Sequence, residues 1–239
     1  MRRSIAWIVP LLMLLSHGFT LAQDHAFSLT LRGGYTTTSK IYSNPDAADP
    51  ELAGQYSGID NIYAPGLELR WTLPGQSIAL TLEVERIAKS QEDIELVGFT
   101  NPPSALPIKE GLRLYSLELG GLLFIPLGSD QVRLTMGGGL GMYIGERSVT
   151  IAGVEATQQN SPISVGIHVE TSFDYRITQN VFARLDMRFR DPEYTAESRF
   201  LRPATQYGGQ LVLLPEQTFR AKVNVNGLNF GLGIGVELF

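Results

Sequence analysis

The last stretch of the chain, Ala221 to Phe239, constrains everything before it. It reads AKVNVNGLNFGLGIGVELF, and from Leu228 it alternates without a break. Leu228, Phe230, Leu232, Ile234, Val236 and Leu238 fall on one face of an extended strand, and Asn229, Gly231, Gly233, Gly235 and Glu237 on the other, because successive strand side chains point to opposite sides. One face is apolar; the other is small or charged. Such a strand reads as the closing strand of a transmembrane β-barrel, paired with the first strand so that no edge is left in lipid.

The same two-faced pattern recurs along the chain. Strands are expected at about 26–35, 62–73, 77–87, 112–125, 131–145, 163–176, 180–190 and 221–239. Val223 and Val225 are out of phase with Leu228 onward, so a bulge near Gly227 is expected to restore the alternation. The connections run long, short, long, short, medium, short, long. Pro74-Gly75-Gln76 and Ile177-Thr178-Gln179 are tight turns, while 36–60, 88–111 and 191–220 are long and polar. That order suits eight antiparallel strands standing in an outer membrane, with short turns inside and long loops outside. Strands of about 11 residues tilted by roughly 40° cross an apolar band of about 25 Å. The expected fold is therefore all-β: an eight-stranded antiparallel up-and-down transmembrane β-barrel.

The 239-residue chain allows one such domain. Arg2 and Arg3, an apolar run from Ile5 to Leu15, and Thr20-Leu21-Ala22 form the three parts of a secretory signal peptide. The apolar run is shorter than the roughly 20 residues of a spanning helix. Residues 1–22 are expected to be a leader and 23–239 the barrel. Removing the leader takes two arginines and no acid, shifting the formal charge from −5 to −7. An acidic chain of this kind argues against nucleic acid as a partner. There is no cysteine, which excludes a disulfide framework, a thiolate metal site and a cysteine nucleophile.

Periodicity alone does not say which face looks inward. Two features put the apolar face outside. The polar face also carries many glycines, which make room for long side chains in a narrow eight-stranded interior. Aromatic residues gather at both strand ends: Tyr35, Tyr63, Tyr115 and Phe189 toward the loops, and Phe27, Trp71, Phe173, Tyr175 and Phe239 toward the turns. Two girdles match the two interfaces of a bilayer. Energy then fixes the choice. An outward Lys or Arg costs about 2–4 kcal/mol near the midplane, and a few of these would exceed a fold stability of about 5–15 kcal/mol. The lumen is expected to hold a charge network of Arg32, Glu68, Arg70, Glu83, Glu85, Glu118, Arg133, His168, Glu170, Asp174, Arg176, Arg184, Asp186, Arg188, Arg190 and Glu237, paired so that it plugs the barrel.

The chain resembles the small outer-membrane β-barrel family, OmpA/OmpX-like, over essentially the whole sequence after the leader. LTMGGGLGMYIG (134–145) and NGLNFGLGIGVELF (226–239) carry the likeness, together with the leader and the alternation of loop lengths. The resemblance implies that the barrel-assembly machinery reads the last strand through Phe230, Leu232, Ile234, Val236, Leu238 and Phe239. It also implies contact with outer-membrane lipid and lipopolysaccharide, and it is uninformative about activity.

Candidate chemistry is sparse, and no cofactor or metal is expected. Gly137-Gly138-Gly139 lacks the Lys-Ser/Thr of a phosphate loop. His168 and Glu170 share a strand face and could form an acid/base pair, but that face is the lumen, and no matching serine is evident. Glu83 and Glu85 could be paired carboxylates, yet arginines on the same surface favour ion pairing. Asp46, Asp49 and Glu51 lack the spacing of an EF-hand loop and read as a solvated acidic loop. Leu211–Leu214 is unusually apolar for a loop, so it either extends a strand above the membrane or meets an external partner. The expected role is structural or interactive, through the outer loops. The alternatives are a lipid A-modifying enzyme, a narrow pore, and a soluble lipocalin-like binder.

Overall fold

The computed structural model describes residues 26–75, 77–97, 104–129 and 131–238. The expected leader, 1–22, and the terminal Phe239 lie outside the described residues. In chain order the elements are β1 (Phe27–Tyr42), α1 (Pro50–Ala53), β2 (Tyr56–Thr72), β3 (Ile78–Val97), β4 (Ser104–Ile125), β5 (Val132–Ile151), β6 (Val154–Glu155), β7 (Thr157–Gln158), β8 (Ile163–Arg176), β9 (Val181–Arg190), β10 (Glu193–Arg199), β11 (Ala204–Tyr207), β12 (Gln210–Leu213), β13 (Phe219–Asn224) and β14 (Leu228–Glu237).

Eight of these strands close a ring: β1, β2, β3, β4, β5, β8, β9 and β14, each antiparallel to its neighbours. β14 pairs with β1 from Ser28↔Glu237 to Thr36↔Asn229, so the barrel has no free edge. The last strand thus closes the first, as its two-faced sequence requires.

Around the ring the apolar face looks outward. Leu31, Leu119, Leu140, Ile167, Leu185 and Leu232 are all exposed, which in a bilayer means contact with acyl chains. Phe27 and Trp71 stack at one rim, ring centres 6.0 Å apart, and Tyr35 and Tyr63 tilt together at the other, 5.5 Å apart. This is the reverse of a soluble lipocalin-type barrel, whose apolar face is inside.

The strand ends differ from the sequence expectation. Several stretches read as loops are strand. β1 runs on to Tyr42, β2 starts at Tyr56, and β3 and β4 form a hairpin reaching Val97 and Ser104. A second storey of sheet stands on the ring, where β13 pairs with the end of β1 and with β10, and β10 pairs with β7. In this storey the polarity is inverted. Ile41, Ile59, Ile62, Ile87, Leu112, Leu114, Tyr143, Tyr194, Ala196, Ala221, Val223 and Val225 form a buried apolar cluster. A higher cluster gathers Leu106, Val149, Ile151, Phe200, Val212 and Leu214.

Two devices bring about the inversion. β9 and β10 keep one inward phase throughout: Arg184, Asp186, Arg188 and Arg190 are followed by Tyr194, Ala196, Ser198 and Phe200, all buried. The last strands do the same, with Ala221, Val223, Val225 and Gly227 in phase with Asn229. One extra residue does stand opposite β1 near Gly227, where five steps from Asn224 to Asn229 meet four from Lys40 to Thr36, but it leaves the inward phase of the last strands unchanged. The valines face inward because the interior itself has become apolar. β1 and β2 instead slip by one residue. Thr36 and Ser39 are both buried, as are Ile59 and Ile62, and Asn61 adopts φ 57° at the slip. Asparagine tolerates that left-handed conformation better than most residues. The slip turns Ile41 and Ile59 inward and leaves Asp60 exposed, whereas unbroken alternation would do the reverse.

Leu119 and Leu140 are paired on the outer face midway along β4 and β5. Leu119→Arg is expected to lower stability by about 2–4 kcal/mol, measured by denaturant-dependent folding into liposomes. No loss would overturn the orientation.

Candidate functional site

The ring turns its polar face into a lumen about one side chain deep from each wall, as eight strands dictate. Long arginines cross it and meet carboxylates on other strands. Arg32 on β1 donates through Nη1 to Glu83 at 2.7 Å, through Nη2 to Asn229 at 2.7 Å, and also to Asp186. Arg188 on β9 grips Glu83 with two nitrogens, at 2.7 and 2.5 Å, and reaches Glu118 at 2.9 Å and Glu170 at 2.5 Å. Arg184 holds Asp174 in a two-pronged contact at 2.6 and 2.8 Å and also bonds Glu68. Arg70 lies 3.2 Å from Glu68 and 3.3 Å from Asp174. Arg190 lies 2.5 Å from Glu85 and 3.0 Å from Glu118. The forked guanidinium suits such multiple carboxylate contacts better than a lysine would.

These side chains are almost fully buried, so each ion has given up its water. Desolvation is offset only where geometry and hydrogen bonds are good, and breaking one partner away leaves an uncompensated charge. Glycines provide the space. A Cβ at Gly231 would sit 2.1 Å from Asp186 and 2.4 Å from Arg32. Gly139 serves differently: its Cβ would fall 1.8 Å from the Leu119 carbonyl oxygen. There the glycine admits close approach of the β4 backbone rather than a side chain.

The remaining candidates occupy distinct places. Arg133 and Arg176 meet Glu237 at 3.0 and 3.6 Å but are about one-third exposed, so they form the turn-side mouth rather than the deep network. His168 lies in the lumen with Nδ1 3.7 Å from Glu118 Oε2, while Glu170, its sequence partner, is taken by Arg188. Phe230, Leu232 and Ile234 face outward on the closing strand. Asp49 caps the short helix α1 by accepting from the Glu51 N–H at 2.9 Å, and Asp46 pairs with Arg220 at 2.8 Å. Among the described residues no group of three or more His, Asp or Glu is placed to hold a metal ion.

Above the ions sits the first apolar cluster. Its members come from β1, β2, β3, β4, β5, β10 and β13, nearly the whole circumference, and most are fully buried. It forms a septum across the bore. Tyr194 fits against Gly145, where a Cβ would meet its ring at 2.5 Å, and donates its hydroxyl to the Glu146 carbonyl at 3.1 Å. Burial pushes the Tyr194 phenol up, which keeps it a neutral donor. Sequence reasoning missed this layer. Its signal is Ile41 and Ile59, lying just beyond the two-faced segments in stretches that otherwise read as polar loop, and Ile87, out of phase at the end of the third expected strand.

The outward apolar band, paired aromatic rims, closed ring and charge-filled bore decide the class of structure. The chain has the fold of the small outer-membrane β-barrels. The outer membrane protein OprG from Pseudomonas aeruginosa shares it, with 15% identity over 88% of this chain and 95% of that one and a TM-score of 0.54. Neisserial surface protein A matches at 12% identity over 88% of this chain and 96% of that one, TM-score 0.44. Ail, the attachment invasion locus protein of Yersinia pestis, matches at 12% identity over 88% and 97%, TM-score 0.45. No family model matches the chain, and no curated protein matches it.

Arg188→Leu strips one cation from three carboxylates and is expected to cost about 3–5 kcal/mol, read from urea unfolding in detergent micelles. Arg113→Ala removes an exposed pair with Glu146 and should cost under about 1 kcal/mol. Equal losses would contradict the burial argument.

Proposed function

We propose that the protein is a closed, non-conducting outer-membrane barrel whose work is done by the storey of sheet it carries outside the bilayer. The septum above the ion network carries this reading. A pore needs a continuous wetted path, and here fully buried isoleucines, leucines and valines stand across the bore. A lipid-modifying activity finds less support. It requires acid, base and nucleophile at the lipid interface, whereas His168 lies among the lumen ions with Glu170 already committed to Arg188.

What the outer storey offers is surface. The β11–β12 hairpin turns through Gly208 and Gly209, both at positive φ, a conformation glycine adopts at little cost. Leu201, Tyr207, Leu211 and Leu213 are exposed at this end, while Val212 and Leu214 anchor it in the upper cluster. Exposed apolar side chains on a rigid support suit contact with a protein partner or the lipopolysaccharide layer. The outward face of β14, from Phe230 to Val236, is the surface we assign to recognition by the barrel-assembly machinery.

Planar-bilayer recordings of the purified protein are expected to show no stable conductance above the membrane background. Reproducible long-lived channel openings would favour the pore reading and end this one.

A further inference from the structure

The outer storey is not solid. Above the septum it holds an open cleft of about 690 Å³, within the roughly 300–1,000 Å³ typical of small-molecule sites. Residues 43–44 and 54–57 also line it. One part of its wall is apolar: Val149 and Ile151 on β5, and the stacked rings of Phe200 and Phe219, 5.6 Å apart. Two ionic residues also line it, Arg147 and Glu110.

Arg147 is held from several sides. Its backbone N–H donates to Gln158 Oε1 at 2.7 Å, and its guanidinium carbon lies 5.8 Å from the centre of the Phe219 ring. Nη2 bonds Glu110 Oε1. Nε and Nη1 have no protein partner, although the side chain is only 3% exposed. Glu110 leaves one oxygen, Oε2, without a partner. Three unused N–H bonds on the cation therefore face one unused acceptor in the pair. A buried donor left unmade is costly, and the imbalance calls for an acceptor from outside the chain.

We propose that this cavity is a binding site for a small acidic amphiphile, with its apolar or aromatic body between Phe200, Phe219, Val149 and Ile151 and its carboxylate on Arg147. The site is independent of the lumen network and of the barrel's conductance. Aromatic and aliphatic side chains with a few convergent polar groups are the usual build of such a pocket, and arginine is the side chain best matched to a carboxylate.

The test uses the full barrel in phospholipid nanodiscs, with isothermal titration of 4-phenylbutyrate, 4-phenylbutan-1-ol and 4-phenylbutylamine. The carboxylate is expected to bind about ten-fold or more tighter than the other two, the margin of a charge-assisted hydrogen bond. Arg147→Met should erase that preference while leaving the alcohol's affinity within about two-fold, because the apolar walls are untouched. Val149→Trp should abolish binding of all three by filling the cavity from the β5 wall. Heat-modifiable migration on a gel confirms that each variant is folded. Equal affinities for the three probes, tighter binding of the amine, or unchanged carboxylate binding in folded Arg147→Met or Val149→Trp would overturn the proposal. If Arg147→Met does not fold, the probe order and Val149→Trp decide the matter.

Discussion

A guanidinium enclosed by eight strands has no water to retreat to and must find a carboxylate on another wall. The rest of the barrel follows from that constraint. Ladder hydrogen bonds join each strand only to its neighbours, but the lumen ions join strands across the bore. Arg32 ties β1 to β3, β9 and β14. Arg188 ties β9 to β3, β4 and β8. Register errors that the backbone alone would tolerate would separate these charges from their partners. The network therefore adds specificity as well as bulk, at sites where a wrong pairing is expensive.

The second organising fact is that interior and exterior exchange character along a single strand. Lipid surrounds the lower storey, so charge goes inside. Above the rim the surroundings are aqueous, so charge goes outside and the bore becomes an ordinary hydrophobic core. The same inward phase of β9 and β10 serves both halves, with arginines below and Tyr194, Ala196 and Phe200 above. The septum is where the two regimes meet. Apolar side chains from β1, β2, β3, β4, β5, β10 and β13 pack together there.

What the sequence revealed tracks what the membrane imposes. Within the bilayer, outward positions must be apolar and inward ones polar or small, so Leu117, Leu119 and Leu123 opposite Ser116, Glu118 and Gly120 read directly as a strand. The membership of the lumen could be listed residue by residue for the same reason. The pairings could not, because strand tilt and shear decide which of eight carboxylates a given arginine reaches, and neither is written locally. The upper storey was illegible for a different reason. Thr36-Thr37-Thr38-Ser39 breaks the alternation, yet the strand continues through a one-residue slip matched by Asn61 on β2. Likewise valines 223 and 225 read as outward, and so as out of phase, only on the assumption that inward means polar. Arg147 and Glu110 gave no signal, each sitting beside an opposite charge (Glu146, Lys109) in a polar stretch, and their meeting depends on β4–β5 pairing that runs on past the expected strand ends.

The crossover of polarity also settles how high the molecule floats. Arg86, Arg113 and Glu146 point outward just above the apolar band, and the short turns end it below. A drop of two residues along the strands, about 7 Å, would push those charges toward hydrocarbon. A rise of the same size would lift the Tyr35 and Tyr63 rings out of the interface and leave leucines in water. Both displacements are opposed, so the barrel is gauged to one immersion level, and the platform it carries stands at a fixed distance from the cell surface.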